Sequence, residues 1–448
     1  MTEASTFQET IDWLDSLYHR PFLPAAEVGL RRASFLLERF GSPQRSFRSV
    51  HVAGTTGKGS TTTMIGSILQ ATGARTGYFR SPHLHSYRER IAVDGVDIDE
   101  SSWVRCLDRI MPVAESMEAG EYSQYDLGRP TLFEALFAAA ALHFRDQGVE
   151  WAAVETGMGG RLDATNTLVS DVAVITNVSL EHTRVLGNTV EAIAGEKAAI
   201  IKPESECVTA ARDPAALGVI TERASMQSAH LRVVGKDVRW RVQRRGHWGQ
   251  ALCLQEGARS LDVELGLAGD FQALNAATAF GTALALRDRR VRIDDAAIAA
   301  GLGSARVPGR FEIISDNPTV VLDGAHNPAG MHELCRSLDL FLPGRRIVLV
   351  VAAMSDKDIN TMASEWKGSN GKVIVTRVPE TDRAAPTTRI AAAFHPCSDD
   401  VRVIDDTRQA LTAGLRLSED GGVLVIAGSL YLVGWARQLL VPSEVSVS

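Results

Sequence analysis

The stretch His51-Val-Ala-Gly-Thr-Thr-Gly-Lys-Gly-Ser60 constrains this chain more than any other. Phe47 to Ala53 is a short run ending in small residues and reads as a buried strand. Thr61 to Gln70 carries apolar residues at helical spacing. Strand, glycine-rich turn and helix in that order make a phosphate cradle. Glycines let backbone amides approach the oxygens, the helix start favours an anion, and Lys58 supplies a mobile cation. Ser60 stands where a hydroxyl can ligate a nucleotide-bound Mg2+. The spacing departs from the strict G-x-x-x-x-G-K-[ST] loop. Gly54 and Gly57 lie closer together, and Gly59 separates Lys58 from Ser60.

A chain of 448 residues exceeds one ordinary core, so two or three domains are expected. The net charge of −7, with no basic run, argues against a nucleic-acid partner. No uncharged apolar run approaches the roughly 18 residues of a membrane span. The acidic, polar start, Met1 to Phe7, does not read as a signal peptide. Five scattered cysteines form neither a disulfide framework nor a zinc pattern. These features point to a cytoplasmic protein.

Hydrophobic periodicity predicts two helices within residues 7–40, flanking Pro21-Phe-Leu-Pro24, the second from about Ala25. Gly77 to Leu84 reads as a strand ending in a turn, and Asp94-Gly95 as a hairpin. Helices are expected over 99–118 and 131–147, with a polar loop between them. Trp151–Val154 and Asp171–Thr176 are continuous apolar runs, as in strands buried on both faces. Strands alternating with helices imply a parallel, doubly wound α/β sheet. Residues 231–267 suggest a β-meander, and 273–286 a helix. Val307-Pro-Gly-Arg310 breaks the pattern, giving a domain over 1–305, a linker over 306–312 and a second α/β domain over 313–448. In the second domain strands are expected near 319–322, 347–352, 373–376, 401–404 and 423–427, with a frayed tail over 441–448.

Three polar residues stand at the ends of predicted strands: Ser81, Glu155 and His182. Taken singly, each has an ordinary role as a turn, strand-end or loop residue. In a parallel sheet all three project onto the edge where the phosphate turn opens. A hydroxyl, a carboxylate and an imidazole beside a phosphate suit a divalent ion. Glu155-Thr-Gly-Met-Gly-Gly-Arg-Leu-Asp-Ala-Thr-Asn166 packs three glycines, an arginine and an aspartate into one loop, more special positions than a structural loop needs. Lys197 and Lys202, in Gly195-Glu-Lys-Ala-Ala-Ile-Ile-Lys202, read from composition alone as solvated helix lysines.

Eight segments in order resemble the folylpolyglutamate synthase/dihydrofolate synthase family of the Mur ligase superfamily. They are the phosphate turn, Ser81-Pro-His-Leu84, Arg88-Glu-Arg-Ile91, Gly159-Gly-Arg-Leu-Asp-Ala-Thr-Asn166, Glu196-Lys-Ala198, Pro308-Gly-Arg-Phe-Glu312, Leu322-Asp-Gly-Ala-His-Asn-Pro328 and Gly428-Ser-Leu-Tyr-Leu-Val-Gly434. The resemblance implies a Mur-ligase-like fold, with an N-terminal P-loop ATPase-type sheet bearing a small β-meander and a C-terminal Rossmann-like domain. It implies an ATP-dependent amide ligase that makes an acyl phosphate on a folate or pteroate carboxylate, which glutamate then attacks. Thr55, Thr56, Gly57, Lys58, Gly59 and Ser60 match the ATP phosphate turn, and Asn275, Arg310 and Asp323 further ATP contacts. Ser81, Glu155 and His182 match Mg2+ ligands, and Lys197 a carbamylated lysine on a second Mg2+. Lys58, Lys197 and His326 are the candidate catalytic residues, with His326 and Ser429 on the glutamate side. Glu27, Val28, Gly29 and Leu30, then Thr131, Leu132, Phe133 and Glu134, then Leu162, Asp163 and Ala164 match dihydropteroate or folate contacts. The resemblance implies a bifunctional enzyme, most simply a monomer, acting on dihydropteroate, reduced folates, L-glutamate and ATP; the alternative is a folylpolyglutamate synthase alone. Thr56 stands where the family has asparagine, and Glu181 where it has aspartate.

Overall fold

A computed structural model of the chain describes residues 5–18, 26–121, 127–366, 371–379 and 381–441. Pro21 to Pro24, the tail beyond 441 and the Glu27 side chain lie outside the described residues.

The short apolar runs of the first part assemble one eight-stranded sheet. Its strands are β1 (Arg48–Ala53), β2 (Thr76–Phe79), β3 (Ile91–Val93), β4 (Val96–Asp97), β5 (Trp151–Glu155), β6 (Val172–Ile175), β7 (Glu206–Thr209) and β8 (His230–Val233). Their order is β4-β3-β2-β5-β1-β6-β7-β8. From β2 to β8 every pairing is parallel. The β2–β3 and β3–β4 pairings are antiparallel, so the sheet is mixed rather than wholly parallel. Asp94-Gly95, with φ values of 52° and 78°, makes the two-residue turn of the β3–β4 hairpin, while the chain returns from β2 to β3 through residues 80–90, closed by Arg80 N donating to the Arg90 carbonyl at 3.0 Å.

Side chains alternate across this sheet as the pleat requires. Ala152 and Val154 face a core shared with Trp103 and Phe137, while Trp151 and Ala153 face one shared with Met64 and Phe280. Helices Glu100–Glu118 and Leu132–Asp146 cover the first face, and helices Lys58–Ala71 and Phe271–Asp288 the second.

The expected meander is shorter than its sequence signal. Residues 230–233 join the large sheet in parallel with β7, and only β9 (Val238–Gly246), β10 (Gly249–Glu256) and β11 (Arg259–Leu265) form the antiparallel meander. Short alternating runs look alike whichever sheet they join, so sequence pattern alone did not separate β8 from its successors.

A six-stranded sheet follows: β12 (Glu312–Asp316), β13 (Thr319–Leu322), β14 (Ile347–Val351), β15 (Lys372–Val375), β16 (Val401–Val403) and β17 (Val423–Ala427), in the order β12-β13-β17-β14-β15-β16. Only the β12–β13 hairpin is antiparallel. The two bodies touch at several points. His85 Nε2 lies 3.0 Å from the Gly434 carbonyl, Asp270 N donates to Ser337 Oγ at 3.1 Å, and Gly324 N donates to the Gly309 carbonyl at 2.8 Å.

Candidate active site

β2, β5, β1 and β6 are neighbours, so their carboxyl ends bring Ser81, Glu155, the phosphate turn and Thr176-Asn177 to one edge. The turn is tied to the last of these. Thr176 Oγ1 donates to the Thr56 carbonyl at 2.6 Å, Thr56 N donates to Asn177 Oδ1 at 2.8 Å, and Thr55 N to the Asn177 carbonyl at 3.0 Å. Gly54 has to be glycine: a Cβ there would lie 1.9 Å from Thr176 Oγ1. Gly57 caps helix Lys58–Ala71 in the left-handed region at φ 81°, with the place of a Cβ 2.5 Å from Asn275 Oδ1. Asn275 Nδ2 in turn donates to Gln272 Oε1 at 3.0 Å, and Gln272 Nε2 reaches Ser60 Oγ at 3.3 Å. The first amides of that helix have no intrahelical acceptor, which makes the turn an anion seat.

Two cations share one acceptor here. Lys58 Nζ donates to the Gly54 carbonyl at 3.0 Å, and Lys197 Nζ donates to the same oxygen at 2.9 Å. Lys197 is 1% exposed and also pairs with Glu181 Oε1 at 2.6 Å, which corrects the reading of a solvated helix lysine. Helix Val190–Ala198 points it inward because Ile193, Ala194 and Ala198 bury the same side. Burial pulls the Lys197 amine below its ordinary range, against the opposing charge of Glu181. Lys202, by contrast, is half-buried and bonded to Asn166.

Glu155 is buried at the end of β5 and accepts from Ser81 N at 2.9 Å through Oε2. Its Oε1 takes no hydrogen bond among the described residues. Burial raises its carboxyl above the usual range, opposed chiefly by Lys58 and also by Arg310. A buried carboxylate with a spare oxygen, held by the Ser81 amide and close to Gly59, is the donor chemistry that a hard cation takes. His182 sits at φ 45° in a turn whose surface is open to solvent; the protein packed around its ring lowers its pKa by desolvation, against the charge of Glu181 and together with those of Lys58, Lys197 and Lys357.

The opposing wall comes from the segment before β12 and from the six-stranded sheet. Asp323 Oδ2 accepts from Phe311 N at 2.7 Å and Oδ1 from Ala325 N at 2.8 Å. Burial lifts its carboxyl to about 6 despite the charge of Arg310. His326 Nδ1 lies 2.7 Å from the Gly324 carbonyl, and burial lowers its pKa. Ser429 is buried, and its Oγ has no hydrogen-bond partner among the described residues. The charge of Lys357 reaches both His326 and His182. Sequence reasoning missed Lys357, Gln272, Thr176 and Asn177; for Thr176 and Asn177 the available signal was their place just beyond the end of β6.

The remaining candidates form a second cluster. Val28, Gly29 and Leu30 lie in helix Ala26–Glu38, where a Cβ on Gly29 would stand 3.5 Å from the Leu162 carbonyl and 3.6 Å from Glu134 Oε1. Thr131 and Glu134 cap helix Leu132–Asp146 reciprocally, and Glu134 holds Arg32 with both oxygens, at 2.6 and 2.8 Å. Asp163 accepts from Gly157 N, Met158 N and Thr165, fixing the glycine-rich loop, and Ala164 packs in the core beyond it. Leu132 packs against that core too, and the Phe133 ring stands 5.4 Å from that of Phe79. The carboxylates of Glu134 and Asp163 are thus engaged by the protein itself.

Glu206, His230 and Asp288 cluster like metal ligands elsewhere on the sheet. The Arg232 guanidinium already pairs there with Asp288 and Glu256, at 2.7 and 2.5 Å, and opposes a cation.

Two family models match the chain: the Mur ligase middle domain over residues 122–283, and the Mur ligase, glutamate ligase domain over residues 309–430. The dihydrofolate synthase/folylpolyglutamate synthase of Bacillus subtilis is 35% identical over 80% of this chain and 82% of its own. Its counterpart of the same name in Mycobacterium tuberculosis is 35% identical over 92% and 90%. Among solved structures, Mycobacterium tuberculosis folylpolyglutamate synthase complexed with ADP and AMPPCP superposes with a TM-score of 0.87 at 33% identity, covering 97% of this chain and 99% of that one. Escherichia coli FolC in complex with DHPP and ADP gives 0.83 at 28% identity, covering 97% and 98%. The phosphate turn, the facing domain wall and these relatives agree: the chain is an ATP-dependent amide ligase and belongs to the folylpolyglutamate synthase/dihydrofolate synthase family of the Mur ligase superfamily.

Proposed function

We propose that this enzyme joins L-glutamate to dihydropteroate and to reduced folates, with ATP as the phosphoryl donor. The observation that carries this reading is the meeting of Lys58, Lys197 and Glu155 at one sheet edge, opposite Asp323 and His326. ATP lies along the turn Thr55–Ser60, with Asn275, Arg310 and Asp323 as its further contacts. The substrate carboxylate attacks the γ-phosphorus, giving an acyl phosphate and ADP. The glutamate amine then attacks the acyl carbon, and phosphate leaves. Lys58 stabilises the charge on the transferred group, because a fixed cation aimed at developing charge is worth most where water is excluded. His326 and Ser429 face the amine donor.

Ser81, Glu155 and His182 would hold one Mg2+, and Lys197, as its carbamate, a second. Bound there, Mg2+ supplies charge neutralisation at the phosphate oxygens. Two features favour the carbamate: burial lowers the Lys197 pKa, and only the neutral amine captures CO2. Division of labour follows the chain. Residues 1–305 bind ATP and the pterin side, 306–312 link, and 313–448 bind glutamate, with closure of the two bodies completing the site.

The deciding experiment is a mass-spectrometric product assay with dihydropteroate and tetrahydrofolate offered separately, each with ATP and glutamate. Product from both supports bifunctionality. Product from tetrahydrofolate alone supports the narrower folylpolyglutamate synthase, and product from neither overturns both. For the carbamate, Lys197→Ala should lose turnover and regain part of it with a small carboxylate in the medium. Full activity of Lys197→Arg would remove the carbamate from the account, since a guanidinium cannot form one.

A further inference from the structure

A pocket of about 460 Å3 opens where Arg161, Asn166, the end of helix Val190–Ala198 and helix Pro214–Met226 meet. Its wall carries three cations, Arg161, Lys202 and Arg223, two amides, Asn166 and Gln227, and an apolar side that includes Leu30. The size is that of a small-molecule site. Arg161 is neutralised, since its Nε donates to Glu196 Oε1 at 2.9 Å. Lys202 is not: Nζ donates only to the Asn166 carbonyl at 3.0 Å and to Asn166 Oδ1 at 2.8 Å. The Arg223 guanidinium has no hydrogen bond or ion pair among the described residues, and its Nε is buried without a partner.

Two uncompensated cations facing one cavity are costly. Burial and the Arg223 charge together bring the Lys202 amine down to about 8. A buried guanidinium N–H with no acceptor forfeits a hydrogen bond that it makes in water. Lys202 and Arg223 are both half-buried, an anion in the pocket would complete them, and a guanidinium fork matches the paired oxygens of phosphate or carboxylate. Gln227 adds an amide on the same wall, while Asn166 Nδ2 already donates one hydrogen bond to the Arg161 carbonyl at 3.0 Å. Lys58 and Lys197, at the nucleotide turn, are not part of this lining.

We infer that this pocket is a second anion-binding site, distinct from the phosphate turn, that takes a multiply charged oxyanion: a phosphate group or clustered carboxylates. Its apolar side selects ligands that carry a hydrophobic portion beside the charge.

The test is calorimetric titration of pyrophosphate into the full chain saturated with ADP, so that the phosphate turn is blocked. One further binding event is expected. Affinity should weaken about tenfold or more in Arg223→Gln and in Lys202→Gln, because each removes a charge-assisted contact. ADP binding should be unchanged in both variants. Arg223→Lys, which keeps the charge but not the fork, should fall between. A parallel titration with tri-γ-L-glutamate separates the sources: binding there assigns carboxylates, and binding of pyrophosphate alone assigns phosphate. If ADP itself does not bind, the nucleotide assignment fails, and pyrophosphate titrated into Lys58→Ala still reads the second site through its dependence on Arg223. No binding of either probe, or equal affinity in the parent and both glutamine variants, overturns the proposal.

Discussion

Replacing Gly57 by alanine perturbs two separable things. The first is the backbone. At φ 81° an L-residue is strained, which costs roughly 1–2 kcal/mol. The second is a contact, because the new methyl would stand 2.5 Å from Asn275 Oδ1. Asn275 is the free end of a side chain and can swing away, but it then gives up its 3.0 Å hydrogen bond to Gln272, worth about 1 kcal/mol. Gly57→Ala should therefore cost roughly 2–3 kcal/mol. For a body of roughly 300 residues, with an unfolding entropy of about 2.1 cal/mol/K per residue, that is a melting point lower by about 3–5 °C. Asn275→Ala alone loses only the hydrogen bond. In the double variant nothing remains to collide, so the backbone strain and the lost bond simply coexist. Its cost equals that of Gly57→Ala alone, and the coupling energy is about 1 kcal/mol. Thermal melts of the four proteins without nucleotide, so that no ligand effect enters, check this. If the double variant melts below Gly57→Ala by the full loss of Asn275→Ala, the two residues do not compete for space and the reasoning fails.

Three further outcomes follow from the site. Lys58→Ala gives up only two hydrogen bonds to backbone carbonyls, at 3.0 and 3.4 Å, so it should melt within a few degrees of the parent while turnover falls about 10²–10³-fold; a collapsed circular dichroism spectrum would make Lys58 structural instead. Glu155→Gln keeps an acceptor for Ser81 N–H and sheds a carboxylate that burial disfavours, so stability should hold while half-maximal activity needs more Mg2+; a Mg2+ titration identical to the parent's would remove Glu155 from the metal shell. Asp323 titrates near 6 in the folded chain against 3.8 ordinarily, so its stabilising contribution is complete below about pH 4 and lost as pH rises through 6. Over that window the parent should lose about 3 kcal/mol more stability than Asp323→Asn, and parallel pH–melting curves for the two would refute it.

What the sequence made legible was whatever leaves a local trace. β1, the turn and helix Lys58–Ala71 follow from alternating small, apolar and glycine residues, and the Asp94-Gly95 hairpin from its two residues. Thr131 and Gln147 bounded a helix because capping chemistry is local. The sheet-edge meeting of Ser81 with Glu155 needed only the assumption of parallel strands. Non-local facts were hidden. β7 and β12 escaped notice, and helix Asp295–Ser304 has almost no one-sided pattern because alanine and glycine fill it. Glu134 and Asp163 carry the same letters whether they meet a ligand or cap a helix and pin a loop. Only their partners distinguish the two roles.

The most consequential hidden fact is the burial of Lys197, because it explains how the charges of the site balance. Two lysine nitrogens, Lys58 Nζ and Lys197 Nζ, sit on the single carbonyl of Gly54. Glu155 and Asp323, the nearby buried carboxyls, are both pushed toward their protonated forms, and both are pulled back by Arg310. Each group therefore holds its charge against a desolvation cost that no single partner offsets. A polyphosphate laid along the turn would meet the Lys58 side chain and the free amides at the start of the helix. Such an arrangement stabilises the loaded protein more than the unloaded one. An anion that relieves this imbalance binds the folded chain and not the unfolded one, so ADP should raise the melting point as its concentration passes its dissociation constant.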